Sequence, residues 1–203
     1  MRRICLFGAS GHGKVVKDVA TSKGIEVEAF IDDNPKSKFI HDVVVVSAQE
    51  IGKYKELKFL ISIGDNSIRK IISKKLKSTY IKLIDNSAIV SPTAKVSEGT
   101  VIMSGTRINA DTKLGKHSII NTNAVIEHDC IIENFVHISP NATVTGGVII
   151  GEGTHVGAAA VIIPNVKIGK WVTIGAGAVI TKDIPDYAVV VGVPGEIIKY
   201  NKK

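Results

Sequence analysis

Two adjacent residues, His128 and Asp129, form the pair in this 203-residue sequence that is best suited to moving a proton. Histidine has an unperturbed pKa of about 6.5, so it can accept a proton near neutral pH. A neighbouring carboxylate can stabilise the imidazolium that forms and fix which ring nitrogen carries the proton. Such a pair can act as a general base on an attacking nucleophile. The alternative interpretation of His128 is an ordinary exposed histidine.

A glycine-rich segment, GASGHG at residues 8–13, follows a short apolar run and could hold a phosphate group. Backbone N–H groups in such a loop, at the start of a helix, bind anions. The glycine order is G-x-x-G-x-G rather than the G-x-G-x-x-G of dinucleotide sites, so the sequence does not support NAD binding. The alternative is a tight strand-to-helix turn without a ligand.

The elements that would position this loop form a small Rossmann-like α/β domain over residues 1–83. We expect strands at residues 4–7, 27–31 and 59–63, and helices at residues 14–22 and 67–76. Strands that alternate with helices predict a parallel sheet, and open α/β sheets bind ligands at the carboxyl edge. Candidate ligand-binding residues end the second and third strands at this edge: Asp32, Asp33, Gly64 and Asn66.

The positive charge of the chain is concentrated in this domain. The formal net charge is +7, and residues 1–83 hold 16 of the 26 Lys and Arg residues but only 9 of the 19 Asp and Glu residues. A basic domain attracts nucleic acid or a phosphorylated small molecule. The sequence has no arginine cluster with interleaved aromatic residues. We therefore expect a phosphorylated small molecule and no nucleic acid.

The second part of the chain is a six-residue repeat. From Ile84 to Ile180 an aliphatic residue recurs every six positions, and a small or β-branched residue follows four positions after each one. This period matches neither a helix nor a simple strand. Six residues suit one short strand and one corner, and three such sides close a coil of 18 residues. The repeat therefore predicts a left-handed parallel β-helix over residues 84–184.

The repeat also makes finer predictions. Cys130 takes a small-residue position, so we expect it in the core rather than as a nucleophile. Residues 185–203 should form a tail with a short strand and a terminal helix. Gly or Asn often follows the aliphatic residue, where we expect a positive φ angle: Asn109, Gly115, Asn121, Gly151, Gly157, Gly169 and Gly175.

The register of the repeat places the histidines. His128 stands two positions after Ile126, outside the core register, so it cannot be a core histidine. His137 and His155 are 18 residues apart and should stack on one edge, one coil apart. Two further histidines are expected at the surface: His41 and His117. His12, inside the glycine loop, is either a substrate contact or a residue that only fills the turn.

Composition narrows the class of protein. The sequence has no run of about 18 apolar residues, so we expect no membrane insertion, and its N-terminus runs straight into a strand-like segment. Its two cysteines do not suggest a disulfide framework. We therefore expect a cytoplasmic protein.

Together these segments resemble the PglD/NeuD-like sugar acetyltransferases of the hexapeptide-repeat superfamily. The resemblance covers the GASGHG loop, a strand that ends in IDD, the SIGDNSIRK segment, the repeats and a GVP near the C-terminus. It is strongest to the PglD type, which has an NTxxVIEHE-like repeat followed nine residues later by a second histidine. The corresponding segments here are NTNAVIEHDC, with His128, and NFVHISP, with His137.

The resemblance implies an acetyl-CoA-dependent N-acetyltransferase of bacterial glycan biosynthesis. The implied acceptor is the 4-amino group of a UDP-linked 4-amino-4,6-dideoxy sugar. The resemblance further implies a homotrimer, in which CoA and acceptor meet between neighbouring β-helices, and no metal. Alternatives are an O-acetyltransferase of sialic acid or another glycan precursor, and a trimeric scaffold that binds nucleotide sugars without catalysis. A γ-type carbonic anhydrase is disfavoured because the sequence lacks an H-x₄-H pair of zinc ligands.

The resemblance also implies roles for individual residues. His128 matches the general base, and Asp129 matches a glutamate that raises the basicity of the histidine. Aspartate is one methylene shorter, so a direct bond to the imidazole is an open question. The implied acetyl-CoA contacts are His137, Gly146, Ala158 and Ala176. The implied nucleotide-sugar contacts are Ser10, Gly11, His12, Asp32, Asp33, Gly64 and Asn66.

Overall fold

The computed structural model describes residues 2–76 and 78–201. The N-terminal part of the chain is a three-layer α/β unit. Its elements are β1 (Arg2–Phe7), α1 (Gly11–Ser22), β2 (Ile25–Asp32), β3 (Phe39–Ile40), β4 (Val43–Ser47), a 3₁₀ helix (Ala48–Tyr54), β5 (Lys58–Ile61) and α2 (Asn66–Lys75). The parallel strands lie in the order β4, β2, β1 and β5, and β3 pairs antiparallel with β4 at the edge. The predicted parallel sheet is confirmed, although the edge hairpin and the 3₁₀ helix were not predicted.

The strand order creates a ligand-binding edge at the carboxyl ends of β1 and β5. The chain passes from β1 to β2 and β4 on one side and then returns to β5 on the other side. A crevice opens where the strand order reverses in this way. The glycine loop after β1 and Gly64 after β5 both lie at that crevice, as predicted.

The rest of the chain forms a three-sided parallel β-helix, with two-residue strands β6 to β22. Strands 18 residues apart pair in parallel, as Ile119 does with His137. Wall 1 contains Leu83–Ile84, Val101–Ile102, Ile119–Ile120, His137–Ile138, His155–Val156 and Thr173–Ile174. Wall 2 contains Ile89–Val90, Arg107–Ile108, Val125–Ile126, Thr143–Val144, Val161–Ile162 and Val179–Ile180. Wall 3 contains Lys95–Val96, Lys113–Leu114, Ile131–Ile132, Ile149–Ile150 and Lys167–Ile168.

The second residue of each strand points into the prism, and from Ile102 to Ile180 these aliphatic side chains are buried. Cys130 is also in this core, as predicted. The predicted positive φ angles are wrong by two positions, because the left-handed residue stands third after the aliphatic one, as at Asn123 and Asp129. The predicted glycines serve close packing instead: a Cβ on Gly115 would lie 2.5 Å from backbone of the next coil.

The two parts of the chain share a hydrophobic core. The outward residues of the first strands of wall 1, Leu83, Val101 and Ile119, pack in one cluster with Leu6 and Val16 of the α/β unit. This burial fixes the α/β unit over wall 1. The next outward residues of the same wall are histidines, so these histidines lie beside the junction.

The C-terminal segment closes the last coil with strands. β23 (Ala188–Val191) pairs in parallel with Thr173–Ile174, and β24 (Glu196–Tyr200) pairs antiparallel with β23. The predicted terminal helix is therefore wrong, because residues 196–200 continue wall 1 as a strand. Within the described residues, the helices are all too short or too polar to cross a membrane.

Candidate active site

The His128–Asp129 pair stands at the corner between wall 2 and wall 3, between the strands Val125–Ile126 and Ile131–Ile132. The Nδ1 atom of His128 lies 2.8 Å from Oδ2 of Asp129, and the two side chains are 61% and 66% exposed. Asp129 adopts a left-handed conformation with a φ of 60°. Aspartate tolerates this conformation better than most residues, and it turns the short carboxylate back onto the preceding ring. The open question of a direct bond is thus answered: the shorter side chain reaches the imidazole.

This hydrogen bond fixes the chemistry of the imidazole. An ionised carboxylate only accepts hydrogen bonds, so Nδ1 carries the proton and Nε2 keeps its lone pair. The bond to Asp129 raises the pKa of His128, and this effect outweighs the opposing effect of desolvation. The ring is therefore a stronger base than a free histidine, on a side chain that is largely exposed.

A second cluster of histidines lies on wall 1, below the α/β unit. The rings of His137 and His155 stack with centroids 4.8 Å apart and planes 2° apart, which confirms the predicted stacking. Asn121 donates from Nδ2 to Nε2 of His137 at 3.1 Å, and Ser139 Oγ lies 2.8 Å from Nε2 of His155. The ring of His12, from the glycine loop, lies 6.3 Å from that of His137.

The electrostatics of this cluster differ from those of His128. Burial lowers the pKa of His12 to about 4 and that of His137 to about 3, and the nearby charge of Arg69 adds to both effects. Both rings are therefore neutral at neutral pH and are poor proton acceptors. Nε2 of His12 is buried and has no hydrogen-bond partner among the described residues. A neutral imidazole in this position can bind a polar group of a ligand.

Arg69, in α2, is a buried residue that the sequence analysis did not single out. Its guanidinium is fully buried and donates to Asn66 Oδ1 and to backbone carbonyl groups on both sides of the junction: Ile63, Gly64, His117 and Phe135. Burial lowers the pKa of Arg69 to about 9, so the group stays charged at neutral pH. The SIGDNSIRK segment contained this signal, because an arginine on a helix that starts at a ligand-binding edge is a candidate for an inward-pointing charge.

Two of the three glycines of the loop have structural roles. Gly8 has a φ of 118°, and a Cβ on Gly13 would lie 2.5 Å from the carbonyl oxygen of Gly8. A Cβ on Gly11 would meet no atom within 4 Å. Ser10 occupies the N-cap of α1 without a side-chain cap bond, and the first turn contains no acidic residue. The N–H groups at this helix start are therefore available to an anion.

The two predicted aspartates have different environments. The carboxylate of Asp32 accepts bonds from the backbone N–H groups of Ala9 and Asn34, each at 2.9 Å. Asp32 therefore holds the glycine loop against β2. Asp33 is exposed and free to contact a ligand.

A cavity of about 730 Å³ lies between the start of α2 and the later coils of the β-helix. Gly64 and Asn66 line it, together with His155 and with Trp171, whose ring lies 5.1 Å from Nζ of Lys70. Asn66 donates from Nδ2 to the carbonyl oxygen of Gly153 at 3.0 Å, which secures one wall of the cavity. Its lining combines lysine, amide and hydroxyl groups with an acidic residue and with apolar and aromatic side chains.

The remaining predicted residues lie on separate surfaces of the prism. Gly146 shares the corner of His128, whereas Ala158 and Ala176 are exposed at the corner between wall 1 and wall 2. His137 lies on wall 1 and is 8% exposed. One chain therefore does not bring all of these residues to a single point.

The predicted surface position of His117 is wrong. This residue is 5% exposed, and its ring stacks on Phe135 with centroids 5.3 Å apart and meets Tyr80 edge-on. The α/β unit covers it, which the six-residue repeat does not reveal. His41 is exposed, as predicted.

Both halves of the chain match known protein families. Residues 3–76 match the family described as PglD N-terminal domain. Residues 111–146, 129–164 and 147–182 match the bacterial transferase hexapeptide family of six repeats. The UDP-N-acetylbacillosamine N-acetyltransferase of Bacillus subtilis (strain 168) is 40% identical over 112 residues, which are 51% of this chain and 52% of that protein. The chain thus spans about half the length of this curated relative.

Solved structures match nearly the whole chain. PerB from Caulobacter crescentus, in complex with CoA and GDP-perosamine, is 34% identical with a TM-score of 0.93, over 98% of both chains. The acetyltransferase domain of PglB from Neisseria gonorrhoeae FA1090, in complex with acetyl coenzyme A, is 35% identical with a TM-score of 0.92, over 97% of this chain and 99% of that one. These similarities confirm the predicted fold class, an α/β domain followed by a left-handed parallel β-helix.

Proposed function

This chain belongs to the family of hexapeptide-repeat sugar N-acetyltransferases with a PglD-type N-terminal domain, and from that premise we propose that it acetylates the amino group of a nucleotide-linked sugar. The observation that carries the proposal is the exposed His128–Asp129 pair, whose Nε2 is free to accept a proton. The proposed donor is acetyl-CoA, which supplies a thioester carbonyl when it is bound.

The proposed reaction is a direct transfer. The sugar amine attacks the thioester carbonyl carbon, so a C–N bond forms and the C–S bond breaks. Nε2 of His128 accepts the proton that the amine loses, and the CoA thiolate leaves and is protonated. Asp129 stabilises the imidazolium through its hydrogen bond to Nδ1.

The α/β unit is the proposed nucleotide-sugar domain, over residues 1–83. Support comes from the uncapped start of α1, the free surface around Gly11 and the excess of basic residues. His12 and Asp33 offer polar groups beside the loop. We propose a UDP-linked 4-amino-4,6-dideoxy sugar as acceptor, whereas the structure of PerB contains a GDP-linked sugar. Residues 84–184 are the proposed acetyl-CoA domain, and residues 185–203 are a tail.

We propose that the site is shared between chains of a homotrimer. The implied acetyl-CoA contacts lie at two different corners of the prism, with Gly146 at one and Ala158 and Ala176 at the other. In the trimer, the corner of a neighbouring copy that contains Ala158 and Ala176 would lie against the Gly146 corner of the first chain and complete the site. The free, buried cysteines Cys5 and Cys130 suit a reducing cytoplasm, which is the proposed location.

An acceptor panel tests this function. Purified protein would be incubated with acetyl-CoA and UDP-, dTDP- or GDP-linked 4-amino-6-deoxy sugars. The matching 4-hydroxy sugars would be tested in parallel, and the products would be identified by mass spectrometry. We expect N-acetyl product from an amino sugar, and the UDP-linked one to react fastest. O-acetyl product from sugars without an amine would instead support O-acetylation. No transfer to any acceptor, with tight nucleotide-sugar binding, would support a scaffold.

A further inference from the structure

Gly146 lies one full coil after His128, directly against its imidazole. A Cβ built on Gly146 would lie 2.7 Å from Cε1, 2.8 Å from Nε2 and 3.3 Å from Nδ1 of His128. These three ring atoms are the nearest neighbours of the added carbon. Two nonbonded heavy atoms prefer a separation of about 3.5 Å or more, so a methyl group and the ring cannot both occupy this space.

The backbone does not require glycine at this position. Gly147 has a positive φ of 72°, but Gly146 lies outside the left-handed region. The same place in the other coils of this corner carries a residue with a side chain in every case: Pro92, Ala110, His128, Pro164 and Lys182. The corner therefore accepts side chains wherever the preceding coil does not place an imidazole there.

We propose that Gly146 is a positioning residue, whose missing side chain lets the imidazole of His128 lie over the next coil with Nδ1 on Asp129. A methyl group at 146 would push the ring outward, away from the 2.8 Å contact with the carboxylate. The ring would then lose the partner that fixes its tautomer, and the Nε2 lone pair would no longer be held in one orientation. This inference rests on the proposed function, in which His128 is the base.

A backbone contact between Gly146 and CoA, which the family resemblance implies, makes a different prediction. Loss of a CoA contact alone would raise the KM for acetyl-CoA and leave His128 unchanged in the free protein. Displacement of the ring changes His128 before any ligand binds. It also lowers kcat, because a misplaced base costs rate at saturating substrate.

The experiment compares Gly146→Ala with Gly52→Ala, a matched control whose added Cβ would meet no atom within 4 Å. The pKa of His128 would be measured by NMR in the ligand-free proteins, with the resonance assigned from His128→Asn. We expect the raised wild-type pKa to fall toward 6.5 in Gly146→Ala and to stay in Gly52→Ala. We also expect kcat to fall about 10- to 100-fold in Gly146→Ala alone.

An unchanged His128 pKa with a raised KM for acetyl-CoA would overturn the inference. The NMR titration needs no substrate, so it remains decisive even if the protein has a different activity. Stability supplies a second check in the His128→Ala background, where no ring opposes the methyl group. Gly146→Ala should not lower the unfolding temperature there. A large loss in that background would show that the coil itself requires glycine.

Discussion

Arg69 donates a hydrogen bond from Nε to the backbone carbonyl oxygen of His117 at 2.7 Å. From Nη2 it also reaches the carbonyl oxygen of Phe135, one coil further along, at 2.8 Å. One buried guanidinium thus ties α2 to two successive coils of the β-helix. The geometry of the site at the junction depends on this connection.

Replacement of Arg69 should destabilise the protein strongly. Arg69→Met would leave several buried carbonyl groups without donors, and each such group costs about 1–3 kcal/mol. We expect the free energy of unfolding, measured in urea, to fall by about 3 kcal/mol or more. Arg3→Met is the control, because Arg3 forms an exposed ion pair with Glu28 and should change stability by about 1 kcal/mol at most. Similar losses for the two variants would contradict the role of Arg69.

The buried histidines should make the fold sensitive to acid. Burial lowers the pKa of His117 to about 4, as it does for His12, while the unfolded value is about 6.5. Between these values the unfolded chain binds more protons, so the free energy of unfolding falls as the pH falls. We expect a loss of about 2 kcal/mol or more between pH 6.5 and pH 4.5 in urea titrations. His117→Asn should reduce the slope of the free energy of unfolding against pH, and the control His41→Asn should not. Equal slopes in the wild-type protein and in both variants would contradict the explanation.

Substitutions at two glycines of the loop should have different effects, one on the stability of the fold and the other on nucleotide binding. Gly13→Ala places a methyl group 2.5 Å from the carbonyl oxygen of Gly8, so it should lower stability by about 1–3 kcal/mol. Gly11→Ala adds a methyl group in open space and should leave the unfolding temperature unchanged. It should nevertheless weaken UDP binding in calorimetry, because the methyl group stands at the uncapped start of α1. Unaltered UDP affinity in Gly11→Ala would place the phosphate elsewhere.

The carboxylate of Asp129 should set the pH dependence of catalysis. Because its bond raises the pKa of His128, the acid limb of kcat/KM should have a midpoint above 6.5. Asp129→Asn keeps a residue that tolerates the left-handed conformation but removes the charge, so the midpoint should move to lower pH and kcat should fall. Asp111→Asn is a matched control at the same left-handed position one coil earlier. A limb that moves equally in the two variants, or in neither, would rule out this role.

The sequence was sufficient to predict the β-helix because its determinants lie within the repeat. Each inward aliphatic residue, such as Ile126, packs against equivalents in the coils above and below. The stacking of His137 on His155 followed from the same 18-residue register. The outward environment was not predictable in this way: His117 is buried because Tyr80 and Phe135 pack against its ring.

The left-handed corner positions also escaped prediction for a physical reason. They carry residues as different as Phe135, Trp171 and Ala159, which rarely signal a positive φ. Gly and Asn fill other left-handed positions, such as Gly99 and Asn123, but Gly and Asn also recur two positions earlier in the repeat, so composition alone did not single out the left-handed position. Asp129 occupies one of these left-handed positions, so the backbone conformation that lets its carboxylate reach His128 was visible only in the structure.

The most direct test of the proposed mechanism is the single-turnover rate of acetyl transfer to the nucleotide-linked amino sugar in wild-type protein and in His128→Ala. The side chain of His128 is 61% exposed, so its removal should leave the unfolding temperature unchanged. We expect the transfer rate to fall about 10²- to 10⁴-fold, the usual contribution of a general base. Transfer at the wild-type rate by a folded His128→Ala protein would contradict the assignment of this residue as the base.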